Sequence, residues 1–200
     1  MKVLLLEIGG SGGIAHYTWN LAQALAGLDA VTVTLLSGQP YELDTLERKF
    51  ELLMYPFRNA SWVASWKKII ETTRRVRPDV LHVQTLLSVR RDWLPLILLR
   101  LLGVRIVYTA HNVYPHDRHE KSARGMKECL RAVYESVHHV VTHAGDNVRM
   151  LTGELLVRRE KVSVVSHGNY CFYTRLSPAL DRQEARERLG LAKDAFVFLC

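Results

Sequence analysis

The stretch YTAHNVYPHDRHEK, residues 108–121, crowds His111, Asn112, His116, Asp117, His119 and Glu120 into a few turns of chain. Side chains of these types exchange hydrogen bonds with hydroxyls, change charge near neutral pH, or ligate metals. The stretch follows an apolar run, VRIVYT (104–109), which reads as a strand. It therefore falls on the carboxyl edge of a sheet, where open α/β folds take their ligands. A metal centre would draw on the same residue types, but no H-E-x-x-H occurs and the spacings match no compact helical chelate. No metal is expected. His111 and Asn112, nearest the strand end, read as ligand-facing, while His116 to Glu120 also fit a solvated polar loop.

A second group opens the chain. In EIGGSGGIAHYTWN (7–20), glycine occupies positions 9, 10, 12 and 13. Such backbone freedom serves a left-handed turn or lets something approach the backbone closely. Gly10, Gly12 and Ala15 fit G-x-G-x-x-[GA] between a strand and a helix, where amides and the helix dipole hold a pyrophosphate. The acid that should follow the second strand to hold a ribose is missing from LLSGQP (35–40). A dinucleotide-binding oxidoreductase domain stays as an alternative. Glu7 stands where an apolar residue is usual, to face the cleft or to cap a basic neighbour.

The elements that must position these groups alternate. Runs 2–8, 31–36, 79–84, 104–109, 138–142 and 161–165, with a weaker one at 51–55, are short and rich in Val, Ile and Leu. They lack period-two polarity, as strands covered on both faces do. Between them, helical spacing places Ile14, Tyr17, Leu21, Leu25 and Leu28 on one stripe, Trp62, Trp66, Ile69, Ile70 and Thr73 on a second, and Met126, Leu130, Val133 and Val137 on a third. Gly27 and Pro78 mark helix ends. The rhythm predicts an α/β fold: a doubly wound, mostly parallel Rossmann-like sheet with helices on both faces. Residues 1–175 are expected to form this domain. After the Ser177-Pro178 break, a charged helix ending at Gly190 leads into a fresh strand at 195–200, so residues 176–200 are read as a linker and the first strand of a truncated second domain.

Composition narrows the class. Charged residues are 24% and apolar ones 48%, ordinary for a globular chain. Three scattered cysteines with no C-x-x-C point to neither a disulfide framework nor a zinc ribbon. MKVLLLEIGG reads as a buried strand and not a signal peptide, and WLPLILLRLLGV (93–104) is too short to span a bilayer. A cytoplasmic protein is expected. The net charge of +7 suits anionic partners without selecting one. No helix-turn-helix, RNP or KH signal accompanies it, so nucleic acid is not an expected partner. Basic residues from Arg90 to Arg131 lie beside apolar helices, a pattern that also fits a peripheral site on an anionic membrane surface.

Four segments in order, GGIAHY (12–17), RPDVLHVQ (77–84), VYTAHNVYPHD (107–117) and VVSHGNY (164–170), together resemble the N-terminal domain of a family 4 glycosyltransferase of GT-B fold. The resemblance covers essentially the whole chain, its final ARERLGLAKDAFVFLC resembling the crossover into the second domain. It implies a retaining, metal-independent hexosyltransferase that moves a sugar from a nucleotide-sugar to a glycan or lipid-linked acceptor, in cell-surface polysaccharide or glycolipid synthesis. No cofactor is implied; the nucleotide-sugar is a substrate. On this resemblance His111 lies near the reacting sugar, and Gly12, Gly13, His167 and Gly168 belong to the donor side. His16, Asn112, His116 and Asp117 fall to the acceptor side. Donor-domain residues would lie beyond residue 200, so the 200 residues alone are expected to be inactive. A non-catalytic nucleotide- or carbohydrate-binding module is the other alternative.

Overall fold

The structure, a computed structural model, describes residues 1–114, 125–170, 172–173 and 180–198. The chain divides into two compact units, Met1–Gly168 and Asn169–Cys200. The first holds strands β1 (Lys2–Glu7), β2 (Thr32–Gly38), β3 (Glu51–Tyr55), β4 (Val80–Val83), β5 (Ile106–Ala110), β6 (His139–Thr142) and β7 (Val162–Val164). All pair in parallel, in the order β3-β2-β1-β4-β5-β6-β7. The order reverses between β1 and β4, so their carboxyl ends diverge into a crevice at the topological switch point. The doubly wound parallel sheet expected from the alternating runs is the one found.

Helices α1 (Gly12–Ala26), α2 (Trp62–Val76), α3 (Trp93–Leu101), α4 (Met126–Ser136) and the short α5 (Gly145–Arg149) complete this unit. Side chains alternate across a strand, so β1 feeds two cores at once. Leu4 and Leu6 join Trp66, Ile69, Leu96, Leu99, Leu130 and Val133 in one continuous apolar cluster. Met126, Leu130, Val133 and Val137 are all buried, as their spacing predicts. α1 departs from its predicted stripe. Its first half is buried nearly all round, at Ala15, His16, Tyr17, Thr18 and Trp19, while Leu28 is exposed. The cause is position: α1 leaves β1 at the centre of the sheet, and the loop after β2 folds back over it, with the Tyr41 hydroxyl donating to Ala15 O at 3.2 Å.

Two buried polar contacts fix the loops that matter below. Asp92 opens α3, and its carboxylate accepts the indole N–H of Trp62 at 2.7 Å, that of Trp66 at 2.9 Å and the Ser88 amide at 2.8 Å. It thereby ties the β4–α3 loop to α2, and burial pushes its carboxyl above the usual range. Tyr134 of α4 donates its hydroxyl to Val113 O at 3.1 Å, holding the segment after β5.

In the second unit, α6 (Arg182–Arg188) starts at Asp181, whose side chain accepts the Glu184 amide at 2.8 Å. The expected strand at 195–200 is absent over the described residues 195–198, and Phe196 and Phe198 are 85% and 84% exposed. A strand needs a neighbour to take its backbone hydrogen bonds, and none is paired to it among the described residues.

Candidate functional site

Glu7 answers part of the question posed by the glycines. It is buried, and its carboxylate accepts the Gly9 amide at 2.6 Å, the Gly10 amide at 2.9 Å and the Ser37 hydroxyl at 2.8 Å. It neither faces a cleft nor caps a basic residue; it closes the turn that follows its own strand. Gly10 has φ +75°, and a Cβ there would lie 2.5 Å from Pro40 O; one on Gly38 would lie 2.5 Å from Ile8 O. The turns after β1 and β2 therefore pack backbone against backbone. Gly12, with φ +78°, and Gly13 differ, because an added Cβ at either meets nothing within 4 Å.

The start of α1 already carries a carboxylate. Gly12 N–H donates to Glu42 Oε2 at 2.9 Å, and His16 Nε2 stands 3.1 Å from the same oxygen. The Gly12 bond, followed by nearby His16, holds the Glu42 carboxyl below its ordinary range. Arg58 donates to Ser11 Oγ at 3.0 Å, adding positive charge to the same turn. His16 is thus a buried partner of Glu42 in this turn.

Across the switch point the strand ends supply imidazoles. His111, His143 and His167 follow β5, β6 and β7, and their rings surround Tyr17 of α1 at centroid distances of 4.9, 5.0 and 5.0 Å. His143 Nε2 lies 3.2 Å from His111 Nδ1, and His143 Nδ1 lies 2.9 Å from Val165 O. On its other side His111 Nε2 meets Gln84 Oε1 at 3.0 Å. Burial foremost, then the neighbouring histidines His143, His167 and His82, pushes His111 down to about 3. Histidines ordinarily change charge near neutral pH. Partial burial beside other imidazoles keeps the His111 ring neutral there, a hydrogen-bonding group and not a proton store. Beneath it, half-buried His82 bonds Thr109 Oγ1 at 2.8 Å and is pushed down to about 4 by desolvation.

His111 and Gln84 border a cleft of about 390 Å³, together with Ile14, Arg90, Asn112 and Tyr114. Asn112 is exposed on its rim. His167 is exposed, its Nδ1 3.0 Å from Gly168 O. Gly168 has no positive φ, and an added Cβ there would meet nothing within 4 Å. His116 and Asp117 lie outside the described residues. Among the described residues no group of three His, Cys, Asp or Glu side chains is arranged to hold a metal ion.

The fold thus brings His111 together with His167 and, at the cleft rim, Asn112; it sets Gly12, Gly13 and His16 in the α1 turn. Gln84, His143, Tyr17 and Glu42 were not singled out as site residues. The signal for two of them was available. Gln84 and His143 directly follow β4 and β6, where the strand-end rule that found His111 also applies.

Solved structures share this architecture. A glycosyltransferase from Rickettsia africae matches with TM-score 0.66 at 17% identity, over 96% of this chain and 50% of its own. Anabaena Alr3699/HepE, solved with UDP and glucose, matches with TM-score 0.65 at 17% identity, over 95% and 50%. S. aureus MnaA, solved with UDP, matches with TM-score 0.65 at 14% identity, over 94% and 51%. The chain therefore spans about half the length of the solved proteins it is similar to. No curated protein matches its sequence. The family model described as Glycosyltransferase Family 4 matches residues 11–168, and the chain belongs to that family.

Proposed function

We propose that this chain is the acceptor-side half of a retaining, metal-independent glycosyltransferase that uses a nucleotide-sugar and delivers the sugar to a glycan or lipid-linked acceptor. The observation that carries the reading is a neutral, half-buried histidine, His111, on a cleft beside the first turn of α1 at the sheet's switch point. A neutral imidazole orients a sugar hydroxyl without competing for its proton. The open approach over Gly12 and Gly13 admits donor phosphate oxygens to the helix start, with Glu42 leaving the Gly12 amide as they arrive. Support for a nucleotide-sugar comes from the UDP-bound proteins of the same fold; the diphosphate's other contacts fall to a second domain, and the chain alone is inactive.

A membrane contact belongs to the same proposal. Leu94, Leu98, Leu101 and Leu102 on and just after α3 are 57%, 49%, 78% and 59% exposed, with Val63 of α2 at 68%. Exposed Arg91 and Arg105 flank that apolar run in sequence, and exposed Arg100 interrupts it. Apolar side chains bordered by arginines suit an anionic bilayer surface, at ~1 kcal/mol per basic residue near it. Among the described residues no helix is long and apolar enough to cross a membrane.

The test is sugar transfer by the whole enzyme against a panel of nucleotide-sugars and lipid-linked acceptors. His111→Ala is expected to lower kcat on the order of a hundredfold, ~2.7 kcal/mol of transition-state stabilisation. An unchanged kcat overturns the role of His111, and transfer by the 200-residue chain alone overturns the half-site reading. Sedimentation with vesicles that is indifferent to anionic lipid removes the membrane contact.

A further inference from the structure

The hydrogen bonds around His111 form a chain whose direction can be worked out from one end. Val165 O is a backbone carbonyl and can only accept, so His143 Nδ1 carries a proton toward it at 2.9 Å. A neutral His143 then has a bare Nε2, which must accept from His111 Nδ1 at 3.2 Å. His111, itself neutral, is left with a bare Nε2 facing Gln84 at 3.0 Å. With its oxygen toward the ring, Gln84 leaves its own amide nitrogen buried without a partner among the described residues. The two ends of a glutamine amide exchange by a half turn. That half turn gives the nitrogen an acceptor in His111 Nε2 and leaves in the buried place a carbonyl oxygen, which goes without a partner at less cost than an N–H.

We propose that His143 is a positioning residue that holds His111 in its Nδ1–H tautomer, so that His111 Nε2 meets Gln84, and any ligand hydroxyl that replaces it, as an acceptor. The one other closed chain places a second proton on His143, keeps its bond to Val165 O, reverses the two bonds beyond it and makes His111 Nε2 a donor. That chain keeps the Gln84 oxygen toward the ring and so leaves its amide nitrogen buried without a partner among the described residues. The neutral chain is the one the surroundings favour. It also explains why a histidine, with an acceptor and a donor on opposite sides of one rigid ring, follows β6. The role in sugar transfer rests on the glycosyltransferase reading; the tautomer does not.

Nitrogen-resolved NMR of the 15N-labelled chain at neutral pH tests it, because protonated and bare imidazole nitrogens resonate far apart. Wild type is expected to show His111 with Nδ1 protonated and Nε2 bare. In His143→Phe, which keeps an aromatic ring but removes the acceptor, His111 is expected to switch to the Nε2–H form, donating to Gln84 Oε1. An Nε2–H form in wild type, or an unaltered tautomer in a folded His143→Phe, overturns the proposal; the wild-type spectrum decides even where the variant does not fold. In the whole enzyme the same variant is expected to lower kcat about tenfold with little change in KM, and an unaltered kcat overturns the positioning role. The expected tautomers in an enzyme that transfers no sugar would support the chain of bonds and count against the glycosyltransferase reading.

Discussion

The two edges of the crevice are built on opposite plans. On the α1 side the groups are backbone amides, and the protein's own carboxylates engage them: Glu7 takes Gly9 and Gly10, and Glu42 takes Gly12. On the β5–β7 side the groups are rings, ordered by one another and by a carbonyl, and the line ends at an amide with one unpartnered atom. The first plan makes a rigid turn that waits with an internal anion in place. The second makes a chain of neutral donors and acceptors whose polarity a single proton can reverse. Sequence neighbours therefore divide by function: Gly9 and Gly10 hold the turn shut, while Gly12 and Gly13 leave its outer face open.

Substitution at the closed glycines should have the largest effect. Gly38→Ala and Gly10→Ala place a Cβ 2.5 Å from a backbone oxygen, so loss of about 4 kcal/mol or failure to fold is expected in urea unfolding. A near-native midpoint for either would mean that the two turns can separate, and the contrast with Gly12 and Gly13 would fail. Next, Glu7→Ala strands two amides and a hydroxyl in a buried place and should cost about 3 kcal/mol, read as a lowered unfolding midpoint.

Acid sharpens the comparison from the ring side. Unfolded histidine takes up a proton as pH falls through ~6.5. Folded His82 stays neutral down to about 4 and His111 down to about 3. Below ~6.5 the unfolded chain thus binds more protons, and stability falls with pH until the folded pKa values are reached. By pH 4 the share of each is on the order of 3 kcal/mol. Urea midpoints between pH 7 and pH 4 should decline accordingly; a flat profile would place these rings in water.

The smallest effects are expected at the open glycines. Gly12→Ala should cost about 1 kcal/mol for its positive φ, and Gly13→Ala should stay within ~1 kcal/mol of wild type, since alanine suits a helix. If Gly13→Ala nevertheless abolishes nucleotide-sugar binding in the whole enzyme, the open face is the donor's approach. Full binding would reassign it.

Much of the fold was legible because parallel strands buried on both faces leave continuous Val, Ile and Leu runs, and all seven runs up to residue 165 became strands. His111 was legible because it follows such a run directly. His143 stood in the same relation to its own strand, yet nothing local distinguished it from a surface histidine. Its role depends on residues 32 and 22 positions away in sequence, His111 and Val165.

The sequence by itself determined the alternation of strands and helices, the glycine turn after the first strand and the histidine at the end of the fifth, since each is a property of neighbouring residues. Only the tertiary structure decided which glycines are shut and which open, that Glu7 and Glu42 serve the turn, and that His111 is neutral. Close approach, burial and the direction of a hydrogen bond depend on what lies across the sheet, and distance along the chain does not encode that.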